Sequence, residues 1–248
     1  MNAHDIAKWI DSTLNVKAYS DVSNNGLQIE NSNQKISRVA FGVDGSVKFL
    51  EEAAKKGARL AVVHHGISWG GGIKTITGSS YNIINTAIKN DIALYAVHLP
   101  LDADSTLGHN WTIARELGLE DIAPAFSYHG VVIGATGNLK TGLTAQQFLD
   151  IVREKINPKA SHYNLNPNAI VKKIGICSGG AGDFAADAKS IGCDVYLTGE
   201  ADWGNVIDAE NSNAPMITAG HFETEVFGLR ELAKKMRADL GVETLCIF

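Results

Sequence analysis

The chain has 248 residues, of which 45% are apolar and 20% charged, and 22 Lys and Arg against 27 Asp and Glu give a formal net charge of −5. At about 150 residues per domain this length fits one large or two small domains, and the composition excludes both wholesale disorder and a membrane bundle. The acidic balance leaves no basic field with which to grip a polyanion, so nucleic-acid scaffolding is disfavoured, while a local pocket for one phosphate stays open.

Ile6, Trp9, Ile10 and Leu14 recur at helical spacing and predict a first helix over 4–14. No basic segment followed by an apolar one stands at this end, so it does not read as a secretory leader. Residues 16–26 are polar and turn-rich. Ile36, Val39, Phe41 and Val43 then form a strand, and Ser46 caps a helix that Gly57 stops. ARLAVV is a buried strand running into His64 and His65. A glycine-rich loop over 66–80 leads to a helix at 81–88, and IALYAV is a strand that ends at His98. Short β-rich runs alternating with helices predict an α/β fold with a parallel-type sheet.

The texture changes between 123 and 142. HGVVIGATG reads as a strand, TAQQFLDIVREKI as a helix capped by Thr144, and SHYNLNPNA as a strand and turn. From Lys172 the first pattern returns: KIGICS as a strand, 184–190 as a helix stopped by Gly192, and DVYLTG as a strand ending in Glu200. A helix at 203–209, PMITAG ending at His221, a long helix over 223–239 and a last strand, ETLCIF, complete the chain. The two halves rhyme at a constant offset of 135 residues (177 − 42, 192 − 57, 200 − 65), pairing Gly42 with Cys177, Gly57 with Gly192 and His65 with Glu200. His98 with His221 and Asp102 with Glu225 share an offset of 123 (221 − 98, 225 − 102), and the longer glycine-rich loop absorbs the difference. The expectation is therefore two similar, pseudo-duplicated α/β units, 1–123 and 124–248, with 124–170 resembling an inserted α+β segment.

Ligands of α/β sheets gather beyond the carboxyl ends of the strands, and there the sequence places His64 and His65, His98 with Asp102, and His221 with Glu225; Glu200 ends a fourth strand. Imidazole nitrogen with carboxylate oxygen suits zinc, manganese, iron or cobalt. Adjacent strand residues face opposite ways, so His64 and His65 either turn together at a frayed strand end or serve two ions. Five or six ligands exceed what one tetrahedral ion uses, and two bridged ions would consume them. Cysteine does not join the set: Cys177, Cys193 and Cys246 are odd in number, lack any C-x-x-C spacing and suit a reducing cytosol. The longest apolar stretch, 92–101, is far short of the ~20 residues a membrane span needs.

Other features are weaker. Gly180 to Ala185 reads G-x-G-x-x-A with Glu200 beyond it, a superficial dinucleotide fingerprint; Glu200's counterpart at His65 argues against it, and the turn reads better as a phosphate-friendly helix start. The loop Gly70-Gly71-Gly72-Ile73-Lys74-Thr75 fails as a P-loop at Ile73, though Lys74 can meet a phosphate. Trp69 and Trp203 follow equivalent strand ends and suit either ring stacking or packing. His109 follows the Asp102 loop toward the same region, whereas His4, His129 and His162 have no such pattern.

VVHHGISWGGG, AVHLPLDAD, LTGEADW and AGHFETE, with SNNGLQIE near the start, resemble in order and along the whole chain the NIF-three-like family, many of whose members are called GTP cyclohydrolase 1 type 2 homologs. The resemblance implies two α/β domains with a dinuclear metal site between them and a toroidal homohexamer. Carried over by motif, the metal ligands are His64, His65, Asp102, His221 and Glu225, with His98 and Glu200 orienting ligands or moving a proton. Asn24 and Asn25 stand where the family often has Pro, and Phe222 where it often has a second His; neither change removes a ligand. The expected function is a cytoplasmic, metal-dependent hydrolase that acts on a nucleotide or related heterocycle through an activated water. The alternative is a metal carrier, inserter or regulatory scaffold without turnover.

Overall fold

The computed structural model describes residues 1–248. The chain opens with helix α1 (Ala3–Thr13), whose Asn2 and Asp5 side chains form a reciprocal capping box and whose Ile6 and Ile10 are fully buried. Strand β1 (Gly26–Ile29) precedes the unit's regular core: β2 (Arg38–Asp44), α2 (Val47–Lys55), β3 (Leu60–His65), α3 (Gly78–Lys89), β4 (Ala93–Ala96) and the short α4 (Leu99–Ala103). Ser46 caps α2 by accepting from the Phe49 amide. β2, β3 and β4 are parallel, while β1 pairs with β4 antiparallel.

Helix α5 (His109–Glu116) leads into the second sheet. A long hairpin, β5 (Glu120–Tyr128) and β6 (Val131–Thr144), turns at His129 and Gly130, both at positive φ. Helix α6 (Ala145–Lys155), with the Thr144 and Gln147 capping box, and β7 (Ser161–Tyr163) follow. The next stretch repeats the earlier order: β8 (Ile170–Cys177), α7 (Ala185–Ser190), β9 (Val195–Thr198), α8 (Trp203–Asn211), β10 (Met216–Thr218) and α9 (His221–Thr224). Finally α10 (Phe227–Leu240) carries the chain to β11 (Glu243–Cys246), which lies parallel to β2.

Two compact units result: residues 1–101 with 229–248, and residues 102–228. The first holds the five-stranded sheet β1-β4-β3-β2-β11 and the second the six-stranded sheet β5-β6-β8-β9-β10-β7. Both sheets are mixed, so the parallel expectation holds for β4-β3-β2-β11 in the first and for β8-β9-β10 in the second. Between β2 and β3 and between β8 and β9 the rhyme in the sequence is a rhyme in register. Gly42 pairs with Val63 and Cys177 pairs with Thr198; each member of the second pair is the first moved by the same 135 residues (177 − 42, 198 − 63). Gly57 and Gly192 end equivalent helices at φ of 75° and 81°, a left-handed turn that glycine adopts without strain.

The first unit's core lies between its sheet and helices α2 and α3, where Phe49, Leu50, Ala61, Val63 and Leu94 pack together. Fully burying a side chain such as Leu50 contributes about 1.5–3 kcal/mol. Three sequence expectations change. The helix expected over 223–239 is two helices, because the Thr224 hydroxyl hydrogen-bonds with Gly220 O and His221 O and α9 stops at Glu225. Helix α5 and strand β5 were not expected at all. No helix is long and apolar enough to cross a membrane.

Candidate metal centre

In the first unit, β3 is buried along almost its whole length and delivers His64, which has no exposed surface, and His65, which is partly exposed. The pleat does not part them. Their ring centroids are 4.8 Å apart, and His98, two residues beyond β4, lies 4.9 Å from His64 and 5.8 Å from His65. A nitrogen from each ring falls within 4.8 Å of one from each of the others. The end of the strand thus turns both imidazoles to one place, and His98 joins them.

All three rings are held in the same way. Nδ1 of His64 donates to Val97 O, Nδ1 of His65 to Asp44 Oδ1, and Nδ1 of His98 to Asp21 Oδ1, each at 2.9 Å. A carbonyl or carboxylate oxygen only accepts, so each proton sits on Nδ1 and the lone pair on Nε2. This is the arrangement that fixes tautomer and ring direction in metal-binding histidines.

Asp21 was not singled out from the sequence. Its side chain is only 2% exposed. Oδ1 accepts from His98 Nδ1 and from the Ser23 amide, and Oδ2 accepts from Asn25 Nδ2 and the Leu99 amide. Burial alone would raise this carboxyl, but the hydrogen bonds from His98, Ser23 and Asn25 together hold it below the usual carboxylate range. Asn25 also accepts from the His98 amide at 2.8 Å. Asn25 therefore sets the backbone of His98. The only hint in the sequence was an acidic residue just ahead of SNNGLQ, with no spacing to distinguish it.

In the second unit, His221 begins α9 and Glu225 follows it by one helical turn. His221 Nδ1 donates to Glu200 Oε1 at 2.9 Å, and Nε2 lies 3.1 Å from Glu225 Oε1. The Glu225 hydrogen bond, opposed by burial and aided by Glu200, raises the imidazole to about 9. Glu225 is 5% exposed at its side chain, whereas Glu200 is 63% exposed. Gly179, at φ 70°, passes so close that a Cβ there would collide with Glu225 Oε1 and stand 3.3 Å from His221 Nε2. The Thr224 hydroxyl fixes that turn by accepting from the Gly179 amide.

Asp102 is also buried in this unit, and a ring nitrogen of His109 lies within 4.8 Å of its carboxylate. His109 Nδ1 accepts from the Gly228 amide at 3.0 Å, which puts the ring's proton on Nε2. The thiol of Cys177 is pushed well up, first by burial and then by Asp102, Asp183 and Glu225, so it remains protonated and offers no thiolate. The turn read as a phosphate-friendly helix start opens only a 3₁₀ turn and the six-residue α7. Glu200 is engaged with His221. Lys74 is exposed, His4 pairs with Glu30 at 3.4 Å, and His129 and His162 sit on the β5–β6 turn and on β7.

These donor sets fit a metal on their chemistry. The first unit offers three imidazoles with lone pairs fixed on Nε2, and the second an imidazole between the buried Glu225 and the exposed Glu200, with glycine where a side chain would intrude. Nitrogen and oxygen donors without thiolate suit borderline divalent ions.

Mixed α/β units bearing histidine and carboxylate donors beyond the ends of parallel strands define a class of proteins equipped to bind metal. Within that class the chain belongs to the Duf34/NIF3 (NGG1p interacting factor 3) family, which it matches over residues 1–248. It is 39% identical over 239 residues to the GTP cyclohydrolase 1 type 2 homolog of Deinococcus radiodurans, covering 96% of this chain and 89% of that one. The protein of the same name from Pyrococcus horikoshii is 35% identical over 250 residues, covering 100% and 98%. Among solved structures, the ybgI protein of unknown function superposes with a TM-score of 0.91 at 29% identity, covering 100% of this chain and 98% of that one. Reduced HcgD from Methanocaldococcus jannaschii gives 0.85 at 26% identity, covering 99% and 97%.

Proposed function

We propose that the chain is a dinuclear metal-dependent hydrolase of the GTP cyclohydrolase 1 type 2 kind, acting on a nucleotide or related heterocycle. His64, His65, Asp102, His221 and Glu225 are the proposed ligands of two divalent ions of the zinc, manganese, iron or cobalt class. The observation that carries this reading is the shared orientation of the imidazoles: in His64, His65 and His98 an acceptor holds Nδ1 and leaves Nε2 as the donor. When bound, such ions supply an acidified water and polarise the attacked centre.

The chain's own residues do the rest. Asp21 holds the proton of His98 on Nδ1, so the role proposed for His98 Nε2 is to accept a proton from a nucleophile or to orient it. Glu200, largely exposed and bonded to His221 Nδ1, is placed to pass a proton to solvent. The test is to load the full chain with each of the four metals, measure metal content, and assay a nucleotide panel. Glu200→Gln and His98→Ala should abolish turnover while metal content persists. A protein holding two ions and inert across the panel would overturn the hydrolase reading.

The exposure of His221 and Glu200 favours a second reading, a carrier or inserter whose metal exchanges readily. Rapid metal transfer to a chelator with no turnover would favour it. The resemblance also extends the proposal to a cytoplasmic, ring-shaped homohexamer, which native mass spectrometry checks directly.

A further inference from the structure

Trp69 is unusual in being both exposed and fixed. It keeps 38% of its surface open, yet its Nε1–H is used by Gly66 O at 3.0 Å. What it offers outward is therefore π surface without a donor. The loop bearing it is pinned on both sides. Gln28 Oε1 accepts from the Ile67 and Ser68 amides, Asn24 N donates to Ser68 O at 3.0 Å, and Gly70 N donates to Val22 O at 2.7 Å. The indole meets the His98 ring nearly perpendicularly, at 75° and 5.2 Å, and stands 6.0 Å from His65.

Directly opposite Trp69, across an antiparallel bridge, is Ser23. Opposed residues of such a bridge send their side chains to the same face. Ser23 is 4% exposed, and its hydroxyl has no hydrogen-bond partner. Buried hydroxyls are ordinarily satisfied, so this face is polar and incomplete beside a rigid aromatic wall.

We infer that Trp69 is a stacking platform for the flat bicyclic heterocycle of the substrate, a purine or pteridine, held beside the three-imidazole cluster. The inference rests on the reading of this site as one that acts on a nucleotide or related heterocycle, and it names the residue that would hold the ring. Every base has a π-face that stacks on an aromatic side chain, and a fused ring the size of an indole covers the most of it. A pre-fixed side chain loses little freedom when the ring arrives.

The test uses the full chain, metal-free and zinc-loaded, with guanosine as the probe and ribose 5-phosphate as the ring-less control. Guanosine should quench tryptophan fluorescence in both forms. Trp69→Ala should weaken guanosine binding by about tenfold or more and leave ribose 5-phosphate unaffected. Trp69→Phe, which keeps a smaller ring if the alanine variant does not fold, should lose the quench with a milder loss of affinity. Trp203→Phe should retain the quench. Guanosine binding unchanged in a folded Trp69→Ala protein, a quench lost in Trp203→Phe instead, or no guanosine binding by a chain that holds its zinc would each overturn the platform. Guanosine binding that depends on Trp69 in a chain that never takes up metal would uphold the platform and overturn the metal reading.

Discussion

The two units share an order of three parallel strands, the first two in the same register, but spend the residues beyond them differently. At the ends of β3 and β4 the first unit places imidazoles, His64, His65 and His98, with Asp44 and Asp21 behind two of them. At the ends of β9 and β10 the second unit places Glu200 and His221, which bond to each other, with Glu225 on the ring's other nitrogen. One unit therefore presents three imidazoles, two of them backed by carboxylates, and the other presents carboxylates around a single ring. A repeated backbone fixes where donors stand; the residue chosen at each position decides charge and tautomer.

The same contrast extends to burial. Asp21 is sealed and accepts four N–H groups, while Glu200, behind His221, is largely exposed. Substituting these two backing carboxylates gives the sharpest test. Asp21→Ala leaves several buried donors unanswered, and unfolding in urea should show a loss of about 3 kcal/mol or more. Metal content should persist, as for His98→Ala, because Asp21 bonds to His98 and to none of the five proposed ligands. If Asp21→Ala is as stable as the parent protein, the first unit's network is not what holds His98.

Gly179→Ala comes next. The left-handed backbone costs a β-carbon about 1 kcal/mol or more, and the methyl group drives Glu225 aside. Thermal unfolding should move down by a few degrees for a loss of this size. A metal-bound structure of the variant should show the His221 and Glu225 side chains displaced while His64 and His65 keep their positions.

The third test concerns the proton on His221. Its folded value, about 9, is raised above the ordinary 6.5, so its contribution to stability is complete below 6.5 and is lost as pH rises through 9. A metal must displace that proton, so uptake at pH 7 should release it and apparent affinity should increase with pH up to about 9. Titrating the His221 ring by NMR in the metal-free protein checks the value, and Glu225→Gln should bring it down. A ring that titrates near 6.5 in the parent would show that the carboxylates around His221 do not set its charge.

The smallest effect is expected of Glu200→Gln on stability. Its exposure and solvent screening keep the loss within about 0.5 kcal/mol, in contrast to Asp21. Urea unfolding measured side by side on the two variants would show whether burial, and not merely the presence of a carboxylate, divides the units.

Much of this was legible in the amino-acid order. Apolar periodicity marked α1, α2 and the central strands to within a few residues, and Ser46 and Gly57 marked the ends of α2, Thr144 the start of α6 and Gly192 the end of α7. Helix α5 was not legible because its buried face carries His109, Asn110 and Thr112, which erase the apolar stripe. Strand β5 was hidden by Pro124 and two acidic residues, a composition tolerated because β5 is the edge of its sheet. Asp21 was invisible for a different reason: its role depends on meeting His98, 77 positions away, and no local pattern encodes that.

The linear order of residues determined which side chains stand at strand ends, because a strand's end is set by local alternation and by the turn residues after it. Folding in three dimensions decided which strands lie together, including β11 joining β2 at the far end of the chain, and which oxygen faces each Nδ1. Those choices rest on contacts between distant residues, whose energies depend on burial and direction and so exist only once the core has closed around them.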